Sequence, residues 1–211
     1  MAFQIRITPA ALHAAAQRQR TIIETVAETS GILTSLAAEL GEAWEGSASI
    51  QALNALDELR TVAGNIGDGA GNSAERLMGV AQAFEALDEG GPVSVAVMWD
   101  RDRFIKIVGC PMPRPQFPLM VIDNLRIVPE QVRAVAAKCK QVSDTYAETA
   151  AELNSMVSEL GKDWEGKAYN RFAEETGELA TAFKRLSNAV DEFADRIRMM
   201  ASRYEELDNS L

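Results

Sequence analysis

The sequence predicts an all-α protein in which two helix–turn–helix hairpins pack antiparallel as a four-helix bundle. Three observations carry this prediction. The chain repeats itself at an offset of 120 residues, apolar positions in each copy are spaced alternately three and four apart, and prolines occur only at helix starts or in the connector. A length of 211 residues, 47% of them hydrophobic, is enough to bury such a core. These values exclude a disordered chain, a collagen and a small disulfide scaffold.

The internal repeat needs no gap between residues 6 and 91. Shifting the chain by 120 residues places Arg6-Ile7-Thr8-Pro9 on Arg126-Ile127-Val128-Pro129, and Trp44-Glu45-Gly46 on Trp164-Glu165-Gly166. Because a missed repeat misassigns the whole fold, we give both copies the same architecture.

Three segments follow from the repeat and from the proline distribution. We expect residues 1–88 and 126–211 each to form one hairpin, and residues 89–125 to form an extended connector. Within each hairpin the three-and-four spacing places the apolar residues on one helix face. In the last helix large residues recur every seven positions, a pattern typical of coiled-coil packing. The members of this pattern are Phe172, Leu179, Leu186, Phe193, Met200 and Leu207.

Proline and glycine mark the helix boundaries. Pro9 and Pro129 open the first helix of each copy, because a missing N–H costs nothing there, and Thr8 can cap the first of them. Leu-Gly followed by Trp-Glu-Gly interrupts the apolar stripe in the middle of each copy, so we expect Gly41 and Gly161 to end the first helices. Glycines at 64, 67, 69 and 71 predict a kink or a mobile turn there, but we still assign the stretch to the second helix because its register to the other copy has no gap.

The connector combines an alternating segment with a proline-rich one. Residues 93–99 alternate between apolar and smaller side chains, a polar turn follows, and residues 104–108 are again apolar, which predicts a β-hairpin. The proline-rich stretch after Cys110 predicts an extended chain. We favour a linker over a binding insert here, because helices of about 55 Å laid head to tail need a long connection, although a long insert on a parallel pair of hairpins also fits.

Charge excludes several classes of partner. The net charge of −10 is distributed as −7 over residues 1–90, +1 over 91–125 and −4 over 126–211. Without a clustered basic stripe, nucleic acid and anionic membrane surfaces are disfavoured. We also expect no cleavable signal peptide and no membrane anchor. Cys110 and Cys139 lack metal-ligand spacing and are interpreted as free thiols rather than a disulfide, and no metal or cofactor is expected.

A Trp-x-Gly turn between two long helices resembles the WXG family of helical hairpins, which are exported by type VII (ESX) secretion systems. Both copies carry the motif, at Trp44 and Gly46 and at Trp164 and Gly166, and the resemblance covers residues 6–88 and 126–211. It implies a secreted or cell-surface, non-enzymatic protein. Family members pair as separate chains, so this chain resembles a dimer fused into one polypeptide.

The family also carries a C-terminal export signal, Tyr-x-x-x-Asp/Glu. The chain matches it at Tyr204 and Asp208, whereas the first copy has Phe84 and Asp88 and so lacks the hydroxyl. In a head-to-tail bundle the Trp44 turn comes near Tyr204. We therefore hypothesise a composite recognition element formed by Trp44, Gly46, Tyr204 and Asp208.

The resemblance implies the type VII secretion ATPase as a partner. Co-secreted WXG or effector proteins and self-association are further candidates. Two alternatives stay open. One is a non-secreted helical scaffold or partner-binding module whose connector binds another protein. The other, disfavoured, is an enzyme or toxin with chemistry in residues 93–118, where no histidine accompanies Asp100, Asp102 and Cys110.

Overall fold

The computed structural model describes residues 8–88 and 126–209. Four long helices account for most of these residues: α1 (Pro9–Ala43), α2 (Ser47–Asp88), α3 (Pro129–Leu160) and α4 (Lys167–Asp208). Two short strands, β1 (Trp44–Glu45) and β2 (Arg126–Ile127), pair antiparallel. The predicted all-α class with two helical hairpins is confirmed. The β-hairpin predicted for residues 93–108 lies outside the described residues.

The helices begin where the prolines predict. Pro9 and Pro129 are the first residues of α1 and α3. Thr8 caps α1, because its Oγ1 accepts a hydrogen bond of 3.3 Å from the N–H of Ala11. Val128 has no side-chain acceptor and cannot cap α3 in this way. Its carbonyl oxygen accepts hydrogen bonds from the N–H groups of Gln131 and Val132, each at 3.1 Å.

The described residues form two compact units, and each draws one segment from each of the four helices. The Trp164 unit contains residues 8–26, 65–88 and 148–183. The Trp44 unit contains residues 27–64, 126–147 and 184–209. The two Trp-bearing turns therefore belong to different units.

In the Trp44 unit the two repeats run antiparallel to each other. Glu39 near the end of α1 pairs with Lys138 of α3 at 2.7 Å. Further along, the carbonyl oxygen of Ala43 accepts the N–H of Val128 at 2.8 Å, and Trp44 pairs with Ile127. From Glu39 to Trp44 the contacts in the second repeat run backwards, from Lys138 to Ile127. The two hairpins therefore run in opposite directions, as predicted.

In the Trp164 unit the repeats are joined by ion pairs between α1 and α3 and between α2 and α4. Arg18 binds Glu152 at 2.6 Å and Glu159 at 2.5 Å. Hydrogen bonding to Arg18 lowers the pKa of Glu159. Arg76 of α2 binds Glu175 of α4 at 2.7 Å. Each repeat therefore uses the other as its packing partner.

The apolar stripes predicted from the spacing form the core. The stripe of α4 is buried from Phe172 to Met200. It ends at the last turn, where Leu207 is 40% exposed. The predicted stripe positions of α1 and α3 are also all buried, namely Leu12, Ala15, Ile22, Val26, Leu33, Leu36 and Leu40 in α1 and Val132, Val135, Val142, Tyr146, Leu153, Met156 and Leu160 in α3. The largest fully buried side chains are Trp44, Tyr146, Phe183, Phe193, Leu12, Leu33, Leu36, Leu40, Leu56, Leu59, Ile66 and Leu77.

Two expectations about glycine need correction. Gly41 does not end α1, which continues to Ala43, whereas α3 does end at Leu160, immediately before Gly161. The glycine-rich part of α2 is continuous helix rather than a mobile turn. The glycine at position 67 is explained by tertiary packing. A Cβ there would lie 2.9 Å from Cγ1 of Val26, so glycine lets α2 approach α1 closely.

Candidate functional site: the Trp-bearing turns and the end of α4

The two Trp-x-Gly turns share a backbone conformation that glycine makes accessible. Gly46 has a φ of 120° and Gly166 a φ of 109°, in the left-handed region that other residues rarely adopt. The carbonyl oxygen of each glycine accepts the first hydrogen bond of the following helix, from Ile50 at 3.3 Å and from Asn170 at 3.0 Å. The glycine of the motif therefore sets the direction in which the second helix of each hairpin leaves the turn.

Trp44 fixes the first turn to the start of the second repeat. Its side chain is fully buried. Its backbone forms β1, in which Trp44 pairs with Ile127 and Glu45 with Arg126. The repeat did not predict this pairing. The available signal in the sequence was the apolar, β-branched Ile127 two residues before Pro129.

Trp164 is held by aromatic neighbours of its own hairpin. Its ring stacks on Phe172 at a centroid distance of 5.6 Å and is tilted against Tyr169 at 5.8 Å. The hydroxyl of Tyr169 donates to the carbonyl oxygen of Val157 at 3.2 Å. Gly161 makes room for that ring, because a Cβ there would lie 2.8 Å from Cζ of Tyr169.

The end of α4 carries the predicted Tyr-x-x-x-Asp element in an unbroken helix. Tyr204 is half-buried and Asp208 is exposed. Between them, Glu205 forms a two-pronged ion pair with Arg133 of α3, with one contact of 2.6 Å from Nη1 to Oε1 and a second from Nη2 to Oε2. The hydrogen bonds from Arg133 lower the pKa of Glu205, so this carboxylate stays charged below its usual range.

The compact units sort the predicted site residues into two groups. Trp44, Gly46, Tyr204 and Asp208 belong to the Trp44 unit. Two contacts connect this group, the pairing of β1 with β2 before α3 and the ion pair from α3 to α4. The second group, in the Trp164 unit, comprises Trp164, Gly166, Phe84 and Asp88.

Sequence reasoning missed the ionic residues that hold these elements together. Glu175 is 6% exposed and pairs with Arg76, although it lies three residues after Phe172 and four before Leu179, on the apolar stripe of α4. A charge on an apolar stripe was the available signal. Burial raises the pKa of Glu175, and the neighbouring Arg76 opposes that shift.

Within residues 8–88 and 126–209 no group of three or more His, Cys, Asp or Glu side chains could hold a metal ion. None of the four described helices combines the length and apolar character needed to cross a bilayer. Cys139 is a free, buried thiol, and burial raises its pKa to about 12. Cys110 lies outside the described residues.

Two helical hairpins, each turning at a Trp-x-Gly motif, define a tandem helical-hairpin protein. The chain belongs to the WXG100 family, described as proteins of 100 residues with WXG, which matches it twice, over residues 4–89 and 124–209.

Similar relatives include the type VII secretion system extracellular protein A of Staphylococcus aureus strains USA300, Newman and NCTC 8325. Each is 25% identical over 87 residues, covering 41% of this chain and 90% of the relative. No solved structure matches the chain significantly.

Proposed function

We propose that this protein is a non-enzymatic substrate of a type VII secretion system and a single-chain equivalent of a pair of WXG hairpins. The family match to both repeats supports the pairing within one chain. The relative named as an extracellular protein of a type VII system supports export. In this proposal residues 1–88 and 126–211 are the two hairpins, residues 89–125 connect them, and the protein acts outside the cell.

We further propose that export depends on a composite signal in the Trp44 unit. The observation that carries this proposal is that the Trp44 turn and the end of α4 share one compact unit. Trp44 is buried, so it acts by holding the turn in place. Gly46 sets the turn's backbone, and the half-exposed ring of Tyr204 and the exposed carboxylate of Asp208 contact the secretion ATPase.

Arg133 keeps this signal in register with the turn. Its ion pair with Glu205 fixes the last turns of α4 to α3, and α3 begins two residues after Ile127, the strand partner of Trp44. The ATPase therefore meets a preformed surface, which reduces the conformational entropy lost on binding. Co-secreted WXG or effector proteins are further partners in this proposal.

The test is a secretion assay in the host strain, with and without its type VII ATPase. Wild-type protein accumulates in the medium only when the ATPase is present. Tyr204→Ala and Asp208→Ala abolish export, while helicity by circular dichroism stays that of the wild type. Asp88→Ala is the matched control at the corresponding position of the first repeat, and it leaves export unchanged. Normal secretion of both Tyr204→Ala and Asp208→Ala contradicts the signal.

A second comparison tests whether the signal is composite. Gly46→Ala and Gly166→Ala disturb the same backbone conformation in the two turns. Only Gly46→Ala lowers export if the Trp44 turn belongs to the signal, and equal losses in the two variants contradict that assignment. Protein absent from the medium in both strains favours the scaffold alternative instead.

A further inference from the structure

A cavity of about 300 Å³ lies beside Trp164, within the Trp164 unit. Its walls are apolar and aromatic, formed by Leu77 and Val80 of α2 and by Trp164 and Phe172 of the second hairpin. This volume lies at the lower end of the range of small-ligand sites in proteins. The cavity is therefore suited to one aromatic side chain.

The inner wall of the cavity carries a polar atom without a partner. Glu175 lines the cavity, is 6% exposed, and accepts a hydrogen bond from Nη1 of Arg76 through its Oε2 at 2.7 Å. Its Oε1 is buried and has no hydrogen-bond partner among residues 8–88 and 126–209. A buried acceptor in this state favours any ligand that brings a hydrogen-bond donor.

The mouth of the cavity is basic. Lys167 and Arg171, one helical turn apart at the start of α4, both line the cavity and are exposed. The chain as a whole carries a net charge of −10, so this basic rim stands out from the rest of the protein. It favours a ligand with carboxylates next to its aromatic group.

The Trp44 unit lacks this combination of residues. The positions that correspond to Lys167, Arg171 and Glu175 at the 120-residue offset are Ser47, Gln51 and Ala55. The residues of α4 that correspond to Ser73 and Val80 are the larger Phe193 and Met200, both buried. The charged residues of the second repeat and the small wall residues of the first repeat therefore meet in the Trp164 unit, and the Trp44 unit has neither at the corresponding positions.

We propose that this cavity binds the C-terminal segment of a second copy of the chain. The ring of Tyr204 of the second copy inserts between the apolar walls, and its hydroxyl donates to Oε1 of Glu175. The carboxylate of Asp208 then faces Lys167 and Arg171. An aromatic ring with a donor at its tip and acids beside it matches each of the three features of the cavity.

The occupant is a second copy because the end of α4 offers the matching chemistry: the ring and hydroxyl of Tyr204 are followed within four residues by three acids, which complement the basic rim. Two different surfaces meet in such a contact, so it is heterologous and can continue into a linear assembly. The inference does not rest on the export proposal.

The first test titrates a fluorescein-labelled synthetic peptide of residues 200–211 into the purified full-length protein. We expect saturable binding that weakens about tenfold when the peptide carries Tyr204→Phe, because Oε1 of Glu175 again lacks a donor. Val80→Met, which introduces the residue found at position 200, partly fills the cavity and weakens binding. Absence of saturable binding, or equal affinity for both peptides, overturns the proposal.

The charge of the rim is tested with a matched pair of double variants. Lys167→Glu/Arg171→Glu is expected to weaken peptide binding about tenfold or more, since like charges then face each other. Lys184→Glu/Arg185→Glu makes the same change in net charge at two exposed positions of α4 outside the cavity lining. Its effect should stay within about twofold, as screening predicts for distant surface charges. Equal losses in both variants overturn the site.

Sedimentation equilibrium of the full-length protein tests the second copy itself. Wild-type protein should associate as its concentration rises, and Tyr204→Phe and Lys167→Glu/Arg171→Glu should each need a concentration higher by about tenfold or more for the same degree of association. A monomeric wild type that still binds the peptide overturns the second copy as the occupant. Because these assays use purified protein without secretion machinery, their failure leaves the export proposal standing.

Discussion

The two Trp-bearing turns share a backbone and differ in what surrounds the tryptophan. Both place a glycine at positive φ before the second helix. Trp44, however, is fixed by strand pairing to Ile127, whereas Trp164 is fixed by Tyr169 and Phe172 of its own hairpin and borders a cavity. The motif therefore specifies the bend alone. The surroundings are set by residues distant in the sequence.

The cores of the two units also differ at corresponding positions of the repeats. Gln19 is fully buried and its Nε2 donates to Ser73 at 3.0 Å. The positions that correspond to these two residues in the other repeat are Cys139 and Phe193, both buried. One unit therefore holds a buried polar pair where the other holds a thiol and an aromatic ring.

The largest effect should come from removing each tryptophan. Trp44→Ala is expected to lower the free energy of unfolding by about 4 kcal/mol and Trp164→Ala by about 3 kcal/mol, both within the range for buried aromatic residues. The second loss is smaller because Trp164 already borders a cavity and so has fewer contacts to lose. Urea denaturation followed by circular dichroism measures both values. A larger loss for Trp164→Ala contradicts the comparison.

Substituting the two turn glycines tests what the motifs share. Gly46→Ala and Gly166→Ala should each destabilise by about 2 kcal/mol, because alanine is strained at positive φ. Gly31→Ala and Gly177→Ala are helical controls with open space around the added methyl group, and each should stabilise by about 0.5–1 kcal/mol. Thermal unfolding checks all four. Neutral behaviour of both turn variants argues against a shared backbone requirement.

The glycine-rich part of α2 offers a smaller, sharper contrast. Gly67→Ala should destabilise by about 1–2 kcal/mol, because its methyl group meets Val26 at 2.9 Å. Gly64→Ala, with nothing within 4 Å, should instead stabilise by about 1 kcal/mol. The double variant Gly67→Ala/Val26→Ala separates the causes. If Gly67→Ala is as destabilising in the Val26→Ala background as in the wild type, the close approach of the helices is not the reason for glycine at 67.

The smallest effect on stability is expected from the buried thiol of Cys139, and only at alkaline pH. Burial raises the pKa of Cys139 from an ordinary value near 9 to about 12, so above pH 9 the unfolded chain releases a proton that the folded protein keeps. Stability is therefore lost as the pH rises from 9 to 12. Between pH 8 and pH 10 the wild type should lose about 1 kcal/mol more than Cys139→Ala. Parallel losses in the two proteins contradict a buried, protonated thiol.

Much of the fold follows from local patterns. Pro9 and Pro129 open their helices because proline lacks an N–H and has a fixed φ, which are properties of the residue itself. The stripe positions are buried because their spacing matches the helical period. The same local reasoning failed at Gly41, which does not end α1. A glycine permits a helix end without requiring one, and α1 continues past it to bring Ala43 against Val128.

The candidate site was only partly predictable, for a related reason. Trp44, Gly46, Tyr204 and Asp208 are visible as motifs, and their common unit follows from the antiparallel arrangement. Glu175 and Arg133 are not visible in this way, because an ionic residue on a helix gains its role only from a partner on another helix. Their partners, Arg76 and Glu205, lie 99 and 72 residues away in the sequence.

By itself the sequence determined the helices and the two bends, and the length of the connector favoured the antiparallel sense of the hairpins. The helices and bends depend on the period of apolar residues and on the backbone preferences of proline and glycine, which act over a few neighbouring residues. The tertiary structure alone decided the strand pairing of Trp44, the close approach at Gly67 and the cavity beside Trp164. Each of these depends on how the side chains of two repeats fit together, and a repeat pattern specifies that two surfaces meet without specifying what lies between them.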